Sequence, residues 1–323
     1  MREQTVWQFS DDRGQLSAAE RRPSKVLAYV QAGATLWDYG IHPWAIFGSG
    51  HDGDDPDRAK TGSLPLTEVE YLGAGGVLDV DTLLRGGPDL VVAVSYGGGQ
   101  VYGLAPETAK HLEEHVPVVV VDVGQARTLT DIGNRFAELA RSLGAEEAPT
   151  ATQDLAAAQD RLRILAAGPS RPRVLALSPA GQDQAHLARP RMWPELRVLT
   201  ELGVDVLEPA AGPGANWSTV GWPEVTALRP GVLLTDIRSN ATPLDRLRSD
   251  AARSALEPAA AVVPWNPEPI CSPQAHARFL TLVADAVEAA QGRKRAPEPL
   301  RRPVRPTGNQ HGLRPERGQG WDT

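Results

Sequence analysis

The sequence predicts an α/β fold: two Rossmann-like α/β lobes joined by a long helical connector, with a ligand cleft between them. The first observation is a unit that occurs twice, at 80–93 (V-D-T-L-L-R-G-G-P-D-L-V-V-A) and 223–235 (P-E-V-T-A-L-R-P-G-V-L-L-T). In each copy a short amphipathic helix stops before a proline, which disfavours helical geometry in its predecessor, and an unbroken aliphatic run follows, as in a strand buried on both faces. The second is the alternation of strand-like and helix-like stretches in both halves. The third is a pair of helical stretches between the halves, at 128–143 and 152–167, which end at Gly144 and at Gly168-Pro169.

Each element has a local reason. Residues 1–24 are an N-terminal extension in which acids, bases and glutamines interrupt every apolar stretch. The first α/β lobe spans 25–127: an apolar run from Val26 to Val30 leads into a short helix closed by Gly40. Ala45 to Phe47, Leu90 to Val94 and Val118 to Val121 supply further strands, with a helix over 105–115. In the connector, 128–168, Leu129, Ile132, Phe136, Leu139, Ala140 and Leu143 recur at helical spacing. The second α/β lobe, 169–291, restarts at Val174–Leu177 and continues with a helix over 196–202, a strand over 204–207, the second repeated unit, a strand over 260–263 and a helix over 275–290. Residues 292–323 are rich in Pro, Arg, Gly and Gln, and read as a disordered basic tail.

Composition narrows the function. A net charge of -7 over 323 residues argues against a general nucleic-acid binder. No apolar stretch reaches the length of a membrane span. Cys271 is the single cysteine, so no intramolecular disulfide forms, and a monomer is expected. As written, the chain opens with neither an export signal nor a lipid-accepting cysteine and is expected in the cytoplasm; a different translation start would make it extracytoplasmic.

Ligands of α/β lobes collect at the carboxyl ends of parallel strands, which selects the loops after them. Those loops are richer in aromatics and arginines than in catalytic groups. The candidate ligand-binding residues are Gln31, Trp37, Tyr96, Tyr102, Arg191, Trp193, Trp217, Arg238 and Trp265. Indoles and phenols pack on a large ligand while offering a donor, and Arg191 and Arg238 add charge for ligand oxygens. Gly97-Gly98-Gly99 lacks phosphate-loop spacing and reads as a turn. His51 with Asp52, Asp54, Asp55 and Asp57 meets neither EF-hand nor zinc spacing, so no metal site is assigned. No residue is assigned as catalytic.

The order of elements resembles the iron-siderophore and cobalamin class of ABC-transporter solute-binding proteins, which have a helical backbone between two α/β lobes. The resemblance covers roughly residues 25 to 290, and its specificity lies in order and spacing. It is carried by 25–28 through 36–40 (K-V-L-A to L-W-D-Y-G), 88–92 (P-D-L-V-V), 116–122 leading into 128–132, and 216–220 with 230–234. It implies a small-molecule ligand, a ferric siderophore or similar chelate, clamped without chemistry and without a cofactor, the iron being held by the ligand's own donors. It also implies an ABC permease as partner. Family members carry a glutamate at the start of the repeated helix in each lobe, and these dock onto permease arginines. Here the first position holds Asp81, while Pro223 takes the second and Glu224 comes one residue late. A helix turns about 100° per residue, which re-aims that carboxylate. The alternative is a cytosolic enzyme on the same scaffold, with an acid or base from His51, Asp52, Asp236 or His186.

Overall fold

Apolar alternation forms the first element of the computed structural model, which describes residues 7–124, 127–146, 149–257, 259 and 261–295. Trp7–Ser10 (β1) and Leu16–Ala19 (β2) pair antiparallel, with Trp7 and Phe9 buried in the first lobe and Gln8 and Ser10 exposed. The sequence reading passes over this hairpin because its alternation is short and lies among charged residues. It shields an edge strand: Ser17 Oγ donates to the Val118 carbonyl at 2.8 Å, and the Asp12 amide to the Val120 carbonyl at 3.1 Å.

The first lobe continues with Val26–Tyr29 (β3), which runs directly into Val30–Asp38 (α1). Ala45–Gly48 (β4), Arg58–Thr61 (α2), Glu70–Ala74 (β5) and Val80–Leu84 (α3) follow. Leu90–Ser95 (β6), Pro106–Glu113 (α4) and Val118–Asp122 (β7) complete it. The strands form one parallel sheet in the order β5-β4-β3-β6-β7. Its central strands are buried on both faces, hence their unbroken aliphatic sequences.

Leu129–Ser142 (α5) starts with a capping box: Thr128 Oγ1 accepts the Asp131 amide, and the Asp131 carboxylate accepts the Thr128 amide. Ile132, Phe136, Leu139 and Ala140 pack into the first lobe. Pro149–Ala166 (α6) instead packs Ala158, Leu162 and Ala166 into the second. The connector is therefore two helices rooted in different cores, with a break after Leu143 where Gly144 adopts φ 96°.

In the second lobe Val174–Ala180 (β8) and Gln184–Ala188 (β9) form a hairpin, followed by Pro194–Glu201 (α7), Trp217–Gly221 (β10) and Trp222–Leu228 (α8). Val232–Asp236 (β11), Asp250–Leu256 (α9), Ala261–Trp265 (β12) and Pro273–Arg295 (α10) follow. The sheet order is β10-β9-β8-β11-β12, with β8, β11 and β12 parallel and β9 and β10 antiparallel. The strand expected at 204–207 makes only one bridge, Val174 to Val206, before Glu208-Pro209 leads the chain away. The last helix extends past 291, and the tail expected beyond it lies, from 296, outside the described residues.

Between β12 and α10 the chain returns to the first lobe. Ile270 and Cys271 enter that lobe's core, and the Cys271 amide donates to Thr35 Oγ1 at 3.0 Å. This crossing places second-lobe side chains against the ends of first-lobe strands.

Candidate ligand-binding cleft

Residues of both lobes line one cavity of about 280 Å³. From the first lobe come Gln31 just after β3, Tyr96 and Tyr102 after β6, and Val123 after β7. From the second come Trp193 and Glu195 at the start of α7, Arg238 after β11, and Glu268 and Cys271 after β12. Most are carboxyl-end positions, as expected for ligand sites of α/β lobes.

Local backbone explains the phenols. Gly97, Gly98 and Gly99 adopt φ values of 108°, 69° and 69°, a run of left-handed geometry open to glycine. The turn brings Tyr96 and Tyr102 edge to face at 4.7 Å, and Tyr102 meets Tyr29 edge-on at 5.5 Å. Gln31 is buried because α1 begins at the end of β3. Its Nε2 donates to the Pro269 carbonyl at 2.7 Å and its Oε1 accepts from the Tyr96 hydroxyl at 3.3 Å. Burial pushes the Tyr102 phenol up to about 12, and burial followed by the nearby Glu268 charge holds Tyr96 well above the ordinary phenol range.

A buried charge network borders the cavity. Glu268 accepts from the Tyr29 hydroxyl at 2.6 Å and from Arg238 Nη1 at 3.1 Å, and pairs with Lys60 Nζ at 3.3 Å. Arg238 also grips Asp236 at 2.9 Å, and Lys60 pairs with Asp52 at 3.1 Å. Burial disfavours the Arg238 cation, but Asp236 and Glu268 outweigh it and raise its pKa. For Asp52 the Ser49 amide and Lys60 outweigh burial and lower its pKa.

Three tryptophans stack beside the cavity, with Trp193 4.9 Å from Trp217 and 5.7 Å from Trp265. Trp193 lines the cavity, while Trp217 and Trp265 pack behind it. The Trp265 indole donates to Glu195 Oε1 at 3.0 Å. Glu195 is buried, and Oε2 has no hydrogen-bond partner among the described residues. Burial raises its pKa to about 7 despite opposing help from its own amide and the Trp265 hydrogen bond.

The structure thus brings Gln31, Tyr96, Tyr102, Trp193 and Arg238 together at one cavity. Trp37 lies elsewhere, near the other end of α1, stacked on His42 at 4.2 Å. Arg191 sits in the turn Pro190–Met192, exposed and outside the lining. Sequence reasoning missed Tyr29, Lys60, Glu195 and Glu268. Proline opening α7 was a signal for Glu195 at a helix start, but nothing local marked its burial. Asp81 and Glu224 are both exposed in the first turns of α3 and α8. Because α3 begins at Val80 and α8 at Trp222, they occupy the second and third helical positions, the offset the sequence implied.

The acid and base candidates are engaged by partners or exposed. Asp52 is paired with Lys60, Asp236 with Arg238, and His186 bonds Thr219 across the β9–β10 pair at 2.9 Å. His51 is exposed. Among the described residues no cluster of three or more His, Cys, Asp or Glu is placed to hold a metal ion, and no helix is long and apolar enough to cross a membrane.

No family model and no curated protein matches the chain. Solved structures do. The ferric-siderophore receptor protein DesE from Streptomyces coelicolor is 27% identical, covering 87% of this chain and 98% of that one, with a TM-score of 0.78. The siderophore periplasmic binding protein from the fuscachelin gene cluster of Thermobifida fusca is 15% identical, over 84% of this chain and 97% of that one, with a TM-score of 0.57. VctP, the catecholate-siderophore binding protein of Vibrio cholerae, is 13% identical, over 88% and 99%, also with a TM-score of 0.57. These last two share the fold. Two α/β lobes closing on one cavity, in the company of such structures, define a solute-binding protein. Within that class the chain is similar, at 27% identity over nearly the whole of that protein, to a ferric-siderophore receptor.

Proposed function

We propose that the two lobes clamp a ferric siderophore, or a chelate of similar size, in the cavity between them and do no chemistry on it. The observation that carries this reading is the lining: phenols, an amide and an indole converge from both lobes, while the candidate acids Asp52 and Asp236 are held in ion pairs and His186 is bonded to Thr219. The match to a ferric-siderophore receptor over nearly its full length supports the same ligand class. At about 280 Å³ the cavity lies at the lower end of ligand-site volumes, so a large chelate enters with the lobes further apart. Titration of intrinsic tryptophan fluorescence with a panel of ferric hydroxamates and catecholates tests the reading, since Trp193 lines the cavity and touches Trp217 and Trp265. Quenching that saturates at micromolar chelate is expected. No response to any member sinks the proposal.

We also propose that an ABC permease docks on Asp81 and Glu224. Both carboxylates are exposed in first turns of the helices of the repeated unit, where negative charge is favourable. Charge reversal at both is expected to slow uptake by the reconstituted transporter and leave chelate affinity unchanged; unchanged uptake removes this docking site.

A further inference from the structure

Glu195 is a buried cavity-lining carboxyl with one oxygen committed to Trp265 and the other unpartnered among the described residues. A half-satisfied buried acceptor is costly, and this one belongs to a residue of the cavity lining. The rest of the cavity's charge gives the vacant oxygen its meaning. Among the described residues Arg238 is the one cation in the lining, and its guanidinium already spans Asp236 and Glu268. Lys60, behind Glu268, is shared by Glu268 and Asp52. Arg191 is outside the lining, and Arg197 donates to the Arg127 carbonyl. Among the described residues the site therefore offers a polyanion no uncommitted cation, yet offers a ligand donor an acceptor.

We propose that Glu195 is the specificity-determining acceptor of the cleft, its free Oε2 taking an ammonium or N–H donor of the ligand, so that the site selects neutral or cationic ferric chelates over polyanionic ones. This rests on the reading of the cleft as a chelate site and narrows it. A tris-hydroxamate balances the charge of ferric iron, whereas a tris-catecholate leaves the complex strongly anionic. A polyanion brought against Glu268 and Glu195 loses hydration without gaining a free partner, which is discrimination by repulsion.

Protonation supplies a second signature. Trp265 of β12, Arg238 after β11, Cys271 before α10 and Arg197 on its own helix interact with Glu195, and Glu268 and Tyr96 line the same cavity. Burial places the carboxyl's titration near neutrality, at about 7. An ammonium on Oε2 favours the ionised form, so a cationic chelate binds more tightly as pH rises through that range. An uncharged counterpart shows no such gain.

The experiment measures binding of three probes to the full chain at pH 6 and pH 8: a linear ferric tris-hydroxamate with a terminal primary amine, its N-acetylated form, and a ferric tris-catecholate. The amine chelate is expected to bind about tenfold more tightly than its acetylated form at pH 8, the size of one charged hydrogen bond, with the preference shrinking at pH 6. Glu195→Gln, which keeps an acceptor for Trp265, is expected to bring the amine-to-acetyl affinity ratio to about one and to abolish its pH dependence. Circular dichroism and the thermal midpoint confirm that the variant folds. Equal loss for both hydroxamates in Glu195→Gln, or tighter binding of the catecholate by the native chain, overturns the proposal. If none of the three binds, the chelate reading itself falls and this inference with it.

Discussion

The Tyr29 hydroxyl donates to Oε2 of Glu268 at 2.6 Å, tying the end of β3 in one lobe to the segment after β12 in the other. The same carboxylate receives Lys60 from the first lobe and Arg238 from the second. Two more bonds cross nearby: the Ser239 amide donates to Asp57 Oδ2 at 2.8 Å, and Asn266 Nδ2 to the Ala59 carbonyl at 2.7 Å. A buried charge network thus serves as one cross-lobe junction, in which each cation retains a second carboxylate.

That redundancy ranks two substitutions. Tyr29→Phe removes one hydrogen bond to a charged acceptor and is expected to lower stability by about 1.5 kcal/mol. Glu268→Gln removes the charge shared by Lys60 and Arg238, and is expected to lower it by about 3 kcal/mol. Urea unfolding followed by circular dichroism provides the comparison. Equal effects, or a reversed order, would contradict the shared role of Glu268.

Cys271 should be chemically quiet. It is buried, its thiol donates to the Pro269 carbonyl at 3.3 Å, and burial raises its pKa well above the ordinary thiol range, so thiolate is scarce. An aromatic disulfide reagent at pH 8 is expected to label it slowly in the native chain and rapidly in urea. Fast native labelling would show that the crossing segment opens readily.

The two connector helices should report on different lobes. Phe136 of α5 and Leu162 of α6 are fully buried in separate cores, and either change to alanine is expected to lower stability by about 3 kcal/mol. Hydrogen exchange distinguishes them: Phe136→Ala should deprotect β6 and β7, and Leu162→Ala should deprotect β8 and α10. Identical exchange patterns would mean that the connector unfolds as one unit.

The strands at Val26–Tyr29, Leu90–Ser95 and Val232–Asp236 were legible because both faces are buried, which forces continuous aliphatic sequence. Glu70–Ala74, Gln184–Ala188 and Trp217–Gly221 were not, since each mixes polar or small residues whose strand geometry comes from neighbours. For the cleft, position after a strand sufficed to find Tyr96 and Arg238. The partners that neutralise the arginine did not follow: Tyr29 and Glu268 meet across a separation of 239 positions, and no local pattern encodes such a contact. Trp37 shows the converse, an aromatic at the expected kind of segment whose helix carries it away from the cavity.

Glu195 and His276 give opposing pH signatures. Burial lowers the His276 pKa from 6.5 to about 4, so the folded chain disfavours its cation; the associated stability is present above pH 6.5 and lost as pH falls through 4. Burial raises the Glu195 pKa from 4.5 to about 7, so the folded chain favours its neutral form; that stability is present below pH 4.5 and lost as pH rises through 7. Each window corresponds to about 3 kcal/mol. Between pH 4.5 and 6.5 the slopes cancel, and these groups leave native stability level. Glu195→Gln, left with the His276 slope, should therefore show stability that rises with pH between 4 and 6.5, and His276→Gln, left with the Glu195 slope, stability that falls between 4.5 and 7. Denaturation midpoints across this range measure both. Parallel profiles for the native chain and the two variants would show that neither buried group titrates as its surroundings require.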